Sequence, residues 1–126
     1  MFPEDLRYSD KHVWVRVGNG AIVRVGITAY AAQALGDVVY ASLPQVGEVV
    51  AAADACAEVE STKSVSDVYA PVSGVITAVN EQLAESPETI NSDPHGDGWL
   101  FELDASDAAE IDELLDADAY AALTES

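Results

Sequence analysis

Positive charge is almost missing from this chain. Its 126 residues carry 5 lysines and arginines against 23 acids, a formal charge of −18. Such a balance repels a phosphate backbone and excludes nucleic acid as a partner. Cysteine occurs once, at Cys56, so no internal disulfide forms, and the residue is expected to be a small buried hydrophobe in a reducing compartment. No run approaches the ~18 apolar residues of a membrane span, and the opening MFPEDLRYSDKH has acids but no apolar core of the secretory or transit kind. A cytoplasmic, non-membrane protein is expected. Glycine-rich phosphate loops are absent. His12 and His95, the two imidazoles, fall in no nucleophile or metal pattern, and with one thiol the chain has too few ligands for zinc. Among so many acids a carboxylate pair arises by chance. No catalytic or metal-ligating residue is therefore assigned, and an enzyme is not expected.

What is present reads as one mainly β domain over 1–126. HVWVRV and AIVRVGI are β-rich runs joined by Gly18-Asn19-Gly20, residue types that tolerate the left-handed turn of a hairpin. TAYAAQALG predicts a short internal helix with Thr28 as N-cap and Gly36 as its stop, and DVVYASLP a strand ending before Pro44. Leu43-Pro44-Gln45-Val46-Gly47 and its following strand then recur twenty-seven positions on as Ala70-Pro71-Val72-Ser73-Gly74. Two strand, Pro-x-x-Gly, strand units predict a β-sandwich built from two similar halves. Between them lies a predicted hairpin over 55–70, whose first arm alternates Ala55, Ala57 and Val59 against Cys56, Glu58 and Glu60. SPETINSDPHGDGWLFEL reads as loop turning to strand at Trp99 to Leu103. A helical segment is predicted over 106–123, capped by Ser106 or Asp107, with Ile111, Leu114, Leu115 and Ala119 on one stripe and Tyr120 and Leu123 extending it.

At the tip of the 55–70 hairpin sits Lys63, and between Arg24 and Ser126 it is the only cation. Fifteen acids follow it. An exposed turn lysine is ordinarily just solubilising, but carboxylates already solubilise this surface. Ser61 and Thr62, which lie with it between the two strands, favour a tight turn, which would hold the ammonium forward and keep it from folding into the core. That is the geometry of a covalently loaded carrier. The acidic coat serves solubility and also suits an acidic face that steers basic partner enzymes.

The segment EVESTKSVSDVYAPVSGVI resembles the lipoylation segment of the glycine cleavage system H proteins, Glu-Ser-x-Lys-x-x-Ser-Asp and then Pro-x-Ser-Gly, matched by Glu60, Ser61, Lys63, Ser66, Asp67, Pro71, Ser73 and Gly74. YSDKHVWV, VGITAYAAQALGDVVYASLPQVG, NSDPHGDGW and LLDADAY resemble further blocks of that family in the same order. The resemblance implies a β-sandwich or hybrid barrel of the lipoyl-domain type, with a short internal helix and C-terminal helices.

It also implies a non-catalytic shuttle. Lipoic acid would be joined as an amide to Lys63 by lipoyl-attaching enzymes, in the setting of Glu60, Ser61, Thr62, Ser64 and Asp67. A monomer would then dock transiently with glycine decarboxylase (P protein), aminomethyltransferase (T protein) and dihydrolipoamide dehydrogenase (L protein). Where the family usually has Glu between His and Trp this chain has Val13, so Glu58, Glu60 or Asp67 is expected to supply the carboxylate near a resting arm, with His12 and Trp14 beside it. Biotin carriers flank their lysine with methionine, whereas Thr62 and Ser64 flank Lys63. A 2-oxoacid dehydrogenase lipoyl domain usually reads Asp-Lys-Ala. The remaining alternatives are an unmodified interaction module and a lipoyl-relay protein that passes its group to other carriers.

Overall fold

The computed structural model of the chain describes residues 3–18 and 20–125. Among the described residues nine strands run β1 Arg7–Tyr8, β2 Val13–Val17, β3 Ile22–Ile27, β4 Val38–Ser42, β5 Val49–Val50, β6 Ala55–Ser61, β7 Val65–Tyr69, β8 Gly74–Val79 and β9 Phe101–Ala105. Helix α1, Ala29–Leu35, separates β3 from β4; α2, Thr89–Ser92, precedes β9; α3, Ala108–Asp112, and α4, Ala117–Glu125, close the chain. A 3-10 turn spans Glu81–Ala84. The strands form two open sheets, one ordered β1-β2-β3-β9-β8-β5 and one ordered β4-β6-β7. A sandwich is thus realised rather than a closed barrel.

The predicted β2–β3 hairpin forms, Gly18 N–H donating to the Ile22 carbonyl at 2.8 Å; Asn19 lies outside the described residues. Alternation sends Val13, Val15, Val23, Val25 and Ile27 into the core between the sheets, with Ile76, Phe101 and Leu103. Strand β2 is buried on its other face as well. Trp14 pairs with Tyr8 across β1–β2, and both meet Tyr120 of α4 in a second cluster with Leu6 and Ala117. The Tyr8 and Tyr120 rings stack at 4.8 Å, 9° from parallel. On the same sheet, Arg24 stands opposite Glu102, donates to it at 2.8 Å and lies 4.4 Å over the Trp99 ring. This partly buried cation is paired and stacked.

The internal repeat has a simple meaning. Each unit starts in the small sheet, turns at Pro-x-x-Gly and ends in the large one: β4 to β5, then β7 to β8. Strands β4 and β7 flank β6, while β5 and β8 pair directly, Val49 opposite Val75 and Val50 opposite Gly74.

Three expectations need correction. The helix predicted over 106–123 is broken, because Tyr8 and Leu115 exchange two backbone hydrogen bonds of 2.8 Å and pull Leu115 into an extended bridge. Asp107 caps α3, and Asp116 caps α4 through the Ala119 N–H at 2.8 Å. Ile111 and Tyr120 are buried, but Ala119 and Leu123 are exposed. The last strand begins at Phe101 rather than Trp99, since the Trp99 carbonyl is taken by the Asn80 side chain at 2.9 Å. The loop before it contains α2, a single turn too short to show a helical period.

Gly74 opens β8 opposite Ala105 of β9, and a methyl group there would strike the Asp104 carbonyl and come within 2.8 Å of Leu103 Cδ1. Gly74→Ala is expected to destabilise the fold by about 2 kcal/mol or more, since a packed sheet interior yields little. Urea unfolding measures this; an unchanged midpoint contradicts the packing described.

Candidate functional site

The hairpin of β6 and β7 follows the predicted alternation from Ala57 onward, while a register shift between Ala55 and Ala57 leaves Ala55 exposed and turns Cys56 toward the core, opposite to expectation. Ala57, Val59 and Ser61 face inward, Glu58 and Glu60 outward, and Cys56 packs partly buried against the core, its thiol pushed up to about 11 chiefly by burial. At the tip, Ser61 closes the turn. Its N–H donates to the Ser64 carbonyl at 2.8 Å, and its hydroxyl oxygen accepts from the N–H groups of Ser64 at 3.0 Å and Lys63 at 3.3 Å. Ser61 is 6% exposed, so these bonds are sheltered from water.

The tip is also tied to the body. Thr62 N–H donates to the Asp37 carbonyl at 3.0 Å, in the junction between α1 and β4. That junction is bridged by Asn91 of α2, whose Nδ2 donates to the Gly36 carbonyl and whose Oδ1 accepts from Val38 N–H, each at 2.8 Å. Gly36 ends α1 with φ +87°, and the place its Cβ would occupy lies 3.3 Å from Lys63 Cε and 3.8 Å from Cδ. A lysine stem therefore passes over bare backbone. Lys63 is exposed and makes no ion pair among the described residues, unlike Arg16, which meets Asp5 at 3.0 Å, and Arg24.

The surroundings of Lys63 divide into an outer sheet face and a cleft. On the face, Tyr40, Glu60 and Val65 lie in one cross-strand row and Ser42, Glu58 and Asp67 in the next. The cleft, about 370 Å³, begins at Ser64 and runs between the hairpin and α1; Val13, Ile27, Leu35 and Val59 line its apolar wall, and Lys11, His12, Tyr30 and Asp67 are its polar members. A second cleft of about 340 Å³, bordered by Tyr8, Tyr69, Pro71 and Leu114, lies at the far end of the hairpin.

Of the residues expected beside an arm, His12 lines the cleft. Trp14 is fully buried, with its indole N–H donating to the Pro94 carbonyl at 2.7 Å, and Glu58 faces outward. Neither borders the cleft. Asp67, on the edge strand β7, does. His12 has φ +67°; its Nδ1 lies 2.6 Å from the Tyr120 hydroxyl, itself 2.8 Å from Thr28 Oγ1, which caps α1 by accepting from Ala31 N–H. His95 Nε2 accepts from Ala29 N–H at 3.2 Å. Gly36, Asp37 and Asn91 drew no attention as parts of the site in the sequence; the signal available was Asn91 opening the NSDPHGDGW block.

Chemically, the arrangement offers one accessible amine on a braced turn, with room for a stem and an apolar cleft within reach. Among the described residues no group of three or more His, Cys, Asp or Glu is placed to hold a metal, and no helix is long and apolar enough to cross a membrane.

An open two-sheet domain with a lysine-tipped hairpin has the architecture of the lipoyl-type domains. The family model for the glycine cleavage H-protein matches residues 6–126. The glycine cleavage system H protein of Enterobacter sp. (strain 638) is 53% identical over 124 residues, 98% of this chain and 96% of that one. That of Nocardia farcinica (strain IFM 10152) is 57% identical over 122 residues, 94% and 92% of the two chains. A crystal structure of the glycine cleavage system H protein from Mycobacterium marinum matches with a TM-score of 0.90 at 45% identity, covering 99% of this chain and 100% of that one. The chain belongs to the glycine cleavage H-protein family.

Burial holds both His12 and His95 below their ordinary value of 6.5. The folded state then binds fewer protons than the unfolded chain, so the contribution is fully present above 6.5 and is lost as pH falls through the lower folded values. Urea titrations from about pH 7.5 down to about pH 5.5 are expected to show falling stability, with a flatter slope in a His12→Gln, His95→Gln double variant. An equal slope in both proteins contradicts it.

Proposed function

We propose that the chain is the lipoyl carrier of a glycine cleavage system, with lipoic acid attached as an amide to Lys63 Nζ. The observation that carries this reading is the exposed Lys63 on a turn closed by Ser61 and tied through Thr62 to Asp37. The residues fit the group. Gly36 leaves space along the stem, and the cleft beginning at Ser64 has an apolar wall for a dithiolane. Lysine plus lipoyl makes a tether with a reach on the order of 10 to 15 Å, which spans such a cleft or enters a docked enzyme.

Held on Lys63, lipoyl would supply a disulfide able to carry the aminomethyl fragment of glycine in its reduced form, to yield that carbon to tetrahydrofolate with release of ammonia, and to be restored by flavin-dependent oxidation. The difficult chemistry belongs to the partners: glycine decarboxylase, the aminomethyltransferase and dihydrolipoamide dehydrogenase. This chain's residues present, shelter and release the tether. Ser61 fixes the turn. His12 and Asp67 offer polar contacts at the cleft, the carboxylate suited to a cationic amine and the imidazole to an uncharged group. Tethering makes each transfer a local event at high effective concentration.

Docking follows from charge. Forming the amide removes the one cation after Arg24, leaving Glu58, Glu60 and Asp67 around the arm. Partners with basic rims are drawn to that face, and short contacts permit release. We assign the chain to the cytoplasm as a monomer that docks transiently.

Intact-mass measurement after expression with lipoate in a host competent for lipoylation tests the reading. One lipoyl increment is expected, lost in Lys63→Ala with folding retained and kept in Lys11→Ala. An unmodified wild-type chain overturns it. Glycine and bicarbonate exchange, reconstituted with the decarboxylase, is expected of the lipoylated protein; full lipoylation without exchange favours the relay role instead.

A further inference from the structure

We propose that Asn91 is a positioning residue for Lys63: it sets the place of the lysine by holding, from another element, the peptide on which the hairpin tip rests. This rests on the reading of Lys63 as the attachment point.

The junction between α1 and β4 is two residues long, Gly36 and Asp37. Asn91 reaches both of its ends at once, donating to the Gly36 carbonyl and accepting from Val38 N–H, both at 2.8 Å. Only a side-chain amide carries a donor and an acceptor in that arrangement; a carboxylate lacks the donor and an aliphatic chain lacks both. The Asp37 carbonyl belongs to the same peptide group as the Val38 N–H, and that carbonyl accepts from Thr62 N–H at 3.0 Å. Thr62 directly precedes Lys63.

Asn91 is itself anchored. Ile90 is fully buried in the main core, Asp93 N–H donates back to the Thr89 carbonyl at 2.9 Å, and Gly98 N–H donates to the Asp93 carbonyl at 2.9 Å, folding the following loop onto α2. A continuous path therefore runs from core to α2, to the junction, to the hairpin tip. Without it the tip would depend on its own turn, on the last rung of the β4–β6 ladder, Val38 opposite Ser61, and on β7, an edge strand, and such ends open locally at little free-energy cost. The amide also holds Gly36 where the Lys63 stem crosses it.

The test uses the full, unlipoylated chain. In Asn91→Ala, amide hydrogen exchange at Thr62 is expected to quicken about tenfold while the Val23 and Val25 amides keep wild-type rates. Lipoyl attachment by a lipoate ligase, measured well below the melting temperature, is expected to lose about tenfold in kcat/KM. Asn91→Asp, which keeps the acceptor but sets a carboxylate against the Gly36 carbonyl, is expected to behave like Asn91→Ala. Ile111→Ala, a core change on α3, is the control: it lowers the melting temperature but leaves Thr62 exchange, relative to the core, and the attachment rate unchanged. Wild-type kcat/KM in Asn91→Ala, or Thr62 exchange that moves only in step with Val23 and Val25, overturns the positioning role. A wild-type chain that the ligase does not modify overturns the lipoyl reading instead, and the exchange data then decide the anchoring alone.

Discussion

One backbone hydrogen bond, from Thr62 N–H to the Asp37 carbonyl, gives the hairpin tip its fixed place. The β4–β6 ladder ends at Val38 opposite Ser61, so the turn beyond it has no further strand pairing, and a long cationic side chain there samples a wide volume. Ser61 removes part of that freedom from within the turn, and the Asp37 contact removes more from outside. What remains flexible is the lysine side chain. Rigid backbone and mobile side chain are complementary in the proposed role: the first would let an enzyme recognise the segment, the second would let a group attached to it travel.

The rest of the fold can be understood as support for that contact. Asp37 is placed by α1, which Thr28 starts and Gly36 stops. The start of α1 is joined to the C-terminal helix through Thr28, Tyr120 and His12, and that helix packs Tyr120 onto Tyr8 and Trp14 on the outer face of β2. Helix α4 thus completes a second core and orients one residue of the cleft. Among the described residues no buried side-chain polar atom lacks a partner, so these polar groups add definition without leaving an unmet desolvation cost.

Much of this was legible in the sequence because it is local. Period-two alternation marked β2, β3 and β6; Thr28 and Gly36 bounded α1; the repeated Pro-x-x-Gly units foretold strands that pass from one sheet to the other. Lys63 stood out by the scarcity of other cations. What stayed hidden depends on residues far apart in the chain. The Tyr8–Leu115 bridge splits a stretch whose composition is helical throughout. The bracing of Gly36 and Val38 by Asn91 crosses more than fifty positions and leaves no periodic trace. Glu58 is expected near an arm by its proximity to Lys63 along the chain and Trp14 by the family resemblance, yet strand alternation sends both away from the cleft.

The central claim is that the turn carrying Lys63 is held still by the body of the domain. Backbone 15N relaxation at Thr62, Lys63 and Ser64 in the unmodified chain tests it most directly. The account predicts order parameters near 0.85, about those of the sheet strands. Values below about 0.6 at these three amides, with rigid strands on either side, would describe a loose loop and contradict it.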